Sequence, residues 1–215
     1  MNIWCCIHNL SFRYDCDWIL QDVSFEIEKR DRVLWILGKS GIGKSTLLFL
    51  LAGFLRPEGG AIEIAGERII GPSPRRTVVF QDHNLFPWMN VLDNIAFGLK
   101  CAGIGRDERN RQAKAWLDRV KLSDYAKHYP NELSGGMSQR VGIARALAVK
   151  PACILMDEPF NALDSVLRKE LQTTLHQMLA ETDTHAVIAT HSMKDIDLIP
   201  GKSLILQGSG CASFL

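Results

Sequence analysis

One short stretch constrains this chain more than any other. Residues 38 to 45 read Gly38-Lys39-Ser40-Gly41-Ile42-Gly43-Lys44-Ser45, matching G-x-x-x-x-G-K-[ST] at every fixed position. The run before it, Arg32 to Leu37 (RVLWIL), reads as a strand buried on both faces, and Ser45 to Ala52 reads as a helix ending at Gly53. Glycines between a strand and a helix let backbone N–H groups turn inward, and the helix adds the positive end of its dipole. The product is an anion site built from backbone. Lys44 would reach the β- and γ-phosphates of a nucleotide as a point charge, the Ser45 hydroxyl would complete the coordination of Mg²⁺, and Thr46 would add a phosphate hydrogen bond. A turn that merely joined strand to helix needs no lysine there followed by a hydroxyl.

Ile154-Leu155-Met156 is an apolar run ending in Asp157-Glu158, so carboxylates stand at the C-terminal edge of a buried strand, where parallel α/β sheets bind ligands. Burying either one unpaired would be expensive. Asp157 suits the Mg²⁺ shell, and Glu158, just past the strand, is placed to polarise an attacking water; a solvated acidic turn before Pro159 is the other reading. His191 follows the apolar strand Ala186 to Ala189 and Thr190, which predicts the same sheet edge. A γ-phosphate contact and a purely structural role both fit it on these residues alone.

The rest of the pattern sorts into a single α/β unit. Residues 3 to 14 and 22 to 28, Ala61 to Ile64 and Thr77 to Phe80 read as strands. From about Asn84 to Val149 the strand signal vanishes, and stretches such as ERNRQAKAWLDRVKL carry apolar residues at helical spacing, predicting a helical insertion. Strand signals return at Cys153 to Met156, Ala186 to Ala189 and Ser203 to Leu206, with a helix over Val166 to Ala180 between the first two, so the sheet is expected to be parallel. A length of 215 residues at 47% apolar composition suits one domain, residues 1–215, with a core of 1–83 and 146–215 and a helical subdomain of about 84–145.

Charge and apolar content narrow the function classes. A net charge of +1 supplies no field that would draw nucleic acid or acidic lipid. The longest apolar run, Leu47 to Leu55, falls well short of the ~20 residues of a spanning helix. The start, MNIWCCIHNLSFRY, lacks the pattern of a secretory signal, which argues for the cytosol. Cys5, Cys6, Cys16, Cys101, Cys153 and Cys211 show no CxxC spacing and no nearby paired histidine. Neither a zinc site nor a redox pair is expected, and mostly buried thiols are.

Between Glu132 and Arg140 the chain reads ELSGGMSQR, and here it resembles the ABC-transporter ATPase family, whose LSGG signature lies a helix ahead of its Asp-Glu strand. The implied fold is a P-loop core with an N-terminal antiparallel β subdomain and an inserted helical subdomain. Ser134, Gly135 and Gly136 at a helix start, followed by Met137, make a second anion site. The resemblance implies that it closes on ATP held by a second copy, so that chains packed head to tail sandwich the nucleotides. It also implies that Gln81 touches Mg²⁺ and water, that Asn161-Ala162-Leu163-Asp164 is a loop through which the copies sense each other, and that His191 is a switch histidine, with Glu158, Gln81 and Lys44 the other catalytic residues. Tyr14 lies where the family stacks an aromatic ring on adenine, with Phe12 or Trp18 as alternatives and ordinary core packing as another reading. No guanine-reading NKxD is present, so ATP is the expected nucleotide.

The segments FQDHNLFPWMNVLDNIAFGLK, YPNELSGGMSQRVGIARAL and LMDEPFNALD look like the importer branch for nitrate, sulfonates such as taurine and related small solutes, in which Met137 is typical. In that branch Phe86-Pro87-Trp88 would form part of the groove that receives a short permease helix, unless these rings fill the subdomain's own core. The partners implied are transmembrane permease subunits and, indirectly, an extracytoplasmic solute-binding protein, with the chain peripheral on the cytoplasmic face of the membrane. An importer for another solute, such as a thiamine-precursor pyrimidine, and a soluble ABC ATPase are the alternatives. Lys39 stands where proline is common, Arg30 where a turn glycine is usual and Ser192 where an acidic residue commonly follows the switch histidine; none removes a catalytic group. The short tail after His191 implies no appended regulatory domain.

Overall fold

The computed structural model describes residues 2–82, 84–161, 163–207 and 212–214. Strand β1 (Ile3–Tyr14) forms an antiparallel hairpin with β2 (Asp17–Glu28). The chain then leaves this sheet to build β3 (Val33–Leu37) and helix α1 (Lys44–Ala52), and returns with β4 (Gly59–Ile64) and β5 (Glu67–Arg68). The result is a four-stranded sheet in the order β2-β1-β4-β5, so the expected antiparallel subdomain draws strands from both sides of the glycine-rich turn. Helix α1 stops where expected. Gly53 takes φ 83°, and a Cβ there would lie 2.3 Å from the Gly71 carbonyl oxygen, so neither the backbone nor the space admits another residue.

The second sheet has six strands in the order β10-β9-β3-β8-β7-β6, adding β6 (Arg76–Val79), β7 (Cys153–Asp157), β8 (His185–Thr190), β9 (Lys202–Leu206) and β10 (Ala212–Phe214). Strands β9, β3, β8, β7 and β6 run parallel, and β10 pairs antiparallel at the edge. Every residue of β3 and β7 is buried, because both faces of the sheet are covered. Strand alternation divides them between cores. Val33, Trp35, Ile154 and Met156 face the helices, whereas Leu34, Ile36, Cys153 and Leu155 face α1 and the antiparallel sheet.

The expected helical segment contains α2 (Val91–Cys101), α3 (Arg106–Arg119) and α4 (Gly135–Ala148), and α5 (Ser165–Thr182) follows β7. The border drawn at residues 145 and 146 falls inside α4, whose last turn, Ala146 to Ala148, is buried in the helix-side core. Before α2, buried Asn94 accepts the Phe86 N–H at 2.8 Å and donates to the Phe86, Met89 and Asn90 carbonyls, which fixes the Phe86–Trp88 turn. The two readings of that turn divide between its rings. Phe86 is half-buried against Phe97 and the Arg145 guanidinium, while Trp88 is 71% exposed. Among the described residues no helix is long and apolar enough to cross a membrane.

Cys5, Cys6 and Cys153 are buried as expected, but Cys16 and Cys101 are exposed, and Cys211 lies outside the described residues. His8 Nε2 lies 3.0 Å from Cys6 Sγ, because residues i and i+2 share a strand face, a neighbour that the cysteine spacing alone did not signal.

Candidate functional site

Parallel register brings the sequence-predicted residues to one edge. Leu37 pairs with Thr190 and Asp157 with Ala189, so the turns carrying Gly38, Glu158 and His191 leave the sheet side by side, with Gln81 just beyond β6. They line a cleft of about 570 Å³ together with Lys39 and Ser40. Behind it the cradle is tight. A Cβ on Gly43 would come within 2.7 Å of Ile19 Cγ2, and one on Gly38 within 2.7 Å of Ile42 Cγ2, so the backbone approaches its neighbours as only glycine allows. Gly41 takes φ 78° at the exposed tip with nothing near its missing side chain.

Lys44 is 5% exposed, and its Nζ donates to the Gly38 carbonyl at 2.9 Å and the Lys39 carbonyl at 3.1 Å, held over the turn rather than extended into solvent. It also lies 3.3 Å from Glu158 Oε1, while Glu158 Oε2 meets His191 Nδ1 at 2.5 Å. Glu158 therefore bridges the Lys44 ammonium behind the cleft and the His191 imidazole on its lining. Asp157 sits deeper. Burial raises its carboxyl above the ordinary range, the Ser45 hydroxyl hydrogen bond pulls it back, Glu158 raises it further and Lys44 opposes that. Thr46, next on the helix, is buried.

A group bracing His191 escaped the sequence reading. Thr190 Oγ1 donates to Asp195 Oδ2 at 2.6 Å and accepts the Ser192 N–H at 3.1 Å, while Gln172 Nε2 donates to the Asp195 carbonyl at 3.1 Å. Asp195 is 3% exposed. The only local signal was an acid shortly after a strand-end threonine, and a link to Gln172 on α5 cannot be seen without the fold.

Of the remaining sequence candidates Asn161 also lines the cleft, whereas Ser134, Gly135, Gly136 and Met137 and the aromatic candidates do not. Ser134 caps α4, its hydroxyl accepting the Met137 N–H at 3.3 Å, and Gly135 starts the helix with its backbone exposed. Gly136 lies against the turn after β7: a Cβ there would be 3.3 Å from Leu163 Cδ2. Of the loop 161–164, Ala162 lies outside the described residues, and so does His83 beside the glutamine turn. Among the aromatic candidates Phe12 is buried and meets Tyr14 edge-on at 4.9 Å, leaving Tyr14 and Trp18 as exposed rings; Trp18 is covered on one face by the Arg13 guanidinium. Tyr14 does not line the cleft.

A family model described as ABC transporter matches residues 20–161. The taurine import ATP-binding protein TauB of Burkholderia thailandensis is 47% identical over 188 residues, covering 87% of this chain and 72% of that protein. The protein of the same name from Pseudomonas aeruginosa is 43% identical over 190 residues, covering 88% and 72%. That from Escherichia coli K12 is 45% identical over 191 residues, covering 89% and 74%.

Proposed function

This chain belongs to the ABC transporter family as an ATP-binding subunit, and from that premise we propose that it hydrolyses ATP to drive import of a small sulfonate of the taurine type. It would do so as a head-to-tail pair of copies on permease subunits fed by an extracytoplasmic solute-binding protein, peripheral to the cytoplasmic face of a membrane. The chemical half of this reading is carried by the line from Lys44 through Glu158 to His191, with separations of 3.3 and 2.5 Å. The solute half is supported by the identity with proteins named for taurine import.

Residues 38–46 fit a nucleotide triphosphate, with the backbone cradle and Lys44 supplying donors and the N-terminal end of α1 supplying positive potential. Tyr14 would stack on the adenine, with Trp18 as the alternative ring. The oxygen donors of Ser45, Asp157 and Gln81 fit Mg²⁺, which when bound would neutralise charge on the transferred phosphoryl group. Glu158 would take the proton of the attacking water. His191 would hold that carboxylate in place and reach the γ-phosphate. The N–H groups of Gly135, Gly136 and Met137, with the Ser134 hydroxyl, would meet the γ-phosphate bound by the other copy. The division into a core of 1–83 and 146–215 with an inserted unit of about 84–145 puts the two anion sites on separate units, which lets closure of a pair complete each one.

Glu158→Gln tests the reaction. Turnover is expected to fall by about 10² to 10⁴-fold while ATP binding persists, and unchanged turnover removes Glu158 as the base. Cells lacking the chain should lose uptake of labelled taurine. Intact taurine uptake with loss of another solute would reassign the cargo, and co-purification with soluble proteins alone would move the chain out of transport.

A further inference from the structure

Cys6 and His8 lie on β1, on the sheet face opposite Cys5 and Ile7, which pack in the core. Across the β1–β2 register Cys6 faces Glu26, and across β1–β4 it faces Glu63. Cys6 Sγ lies 3.0 Å from His8 Nε2 and 3.4 Å from Glu26 Oε1, and the ligand atoms of Cys6, His8 and Glu26 all fall within 4.8 Å of one another. The thiol forms a floor, 8% exposed, while His8 and Glu26 are exposed at the rim. None of them lines the nucleotide cleft.

We infer that Cys6, His8 and Glu26 form a binding site for a divalent cation of the Zn²⁺ class, separate from the nucleotide site. Thiolate, imidazole and carboxylate are the donors Zn²⁺ takes, and donors around a tetrahedral ion with bonds of about 2.0–2.3 Å stand roughly 3.5 Å apart. The observed 3.0 and 3.4 Å separations need only small rotations of exposed side chains to reach that spacing. Paired strands hold the floor, so little ordering remains to be done on binding. A water would serve the fourth position. Burial first, and then the Glu26 hydrogen bond with the charges of Glu26 and Glu63, push the Cys6 thiol up to about 11; the carboxylates that disfavour a bare thiolate favour one neutralised by a cation. Binding replaces the Cys6 S–H bond by a sulfur–metal bond and releases the proton to solvent, with no change of oxidation state.

The test is a Co²⁺ titration of the full chain carrying Cys16→Ser and Cys101→Ser, which remove the exposed thiols among the described residues, and Cys211→Ser, which removes the thiol outside them. A thiolate-to-cobalt charge-transfer band saturating at one equivalent and erased by Zn²⁺ is expected. Cys6→Ser should abolish the band, and His8→Asn and Glu26→Gln, both at exposed positions, should each weaken Co²⁺ affinity at least about tenfold. Absence of a band overturns the site, as does a band that survives Cys6→Ser. Should Cys6→Ser fail to fold, unchanged affinity in both rim variants overturns it equally.

Discussion

Glu158 holds a left-handed backbone, φ 49°, uncommon for a residue with a side chain, and its N–H donates to the Ala189 carbonyl at 3.0 Å. Conformations of this kind concentrate at functional sites, where surrounding contacts over-determine them. Here the flanking strands do so, and the carboxylate leaves the strand line between Lys44 and His191. His191 is held differently. Its side chain is half exposed and the turn beneath it is fastened by buried Asp195. Asp195→Asn should therefore cost about 1–3 kcal/mol of stability, because the amide keeps one acceptor for Thr190 but removes the buried charge that Arg168 Nη1 meets at 3.6 Å, and should also lower kcat for ATP with the nucleotide Kd unchanged. His191→Ala should lower kcat and leave Tm where it was. Melting curves beside steady-state rates separate the two, and an equal loss of Tm in both would make the ring structural.

At the scale of the element, β3 is an unbroken apolar run and β7 carries four apolar residues before Asp157, both strands are buried on both faces, and the cysteines of the core they share carry a consequence for pH. Burial pushes the Cys153 thiol up to about 12 and holds Cys5 well above the ordinary thiol range. A thiol raised in the folded state contributes stability that is fully present below its unfolded pKa, about 8.5, and is lost as pH climbs toward the folded value. Raising the pH from 8.5 to 10 should cost roughly 2 kcal/mol for Cys153, on the order set by 1.36 kcal/mol per unit. Urea midpoints across that range should fall less steeply in Cys153→Ala than in the unsubstituted chain; parallel slopes would mean the thiol is not desolvated. Runs such as these were legible because four or five apolar residues in a row suit little else. Strands β5 (ER) and β10 (ASF) were not legible, since their short, polar segments are strands only by virtue of the neighbours they pair with.

For the whole molecule, the cleft lined by Glu158 and His191 and the Ser134 helix start are separate surfaces of one chain, so the proposed reaction needs a second copy. Lys44→Ala and Ser134→Arg chains should each be inactive alone. Mixed, they should regain ~one quarter of normal turnover, because statistical pairing makes half the dimers mixed and each of those holds one intact composite site. A mixture as silent as its components would argue against head-to-tail pairing.

What the sequence determined by itself was whatever depends on adjacent residues. The cradle of residues 38–45, the strands that end in Leu37 and Asp157, the stop at Gly53 and the helical stretch before Val149 were all readable, because backbone geometry and local periodicity demand particular residue types at consecutive positions. The resemblance through ELSGGMSQR belongs with these. Tertiary structure alone decided what meets across the fold: Glu158 between Lys44 and His191, Asp195 bonded to Thr190 and Gln172, Phe86 turned inward while Trp88 turns out, and Glu26 brought beside Cys6 and His8. Those pairings follow from strand register and from how sheet and helices stack, and neither is written in the period of a single segment.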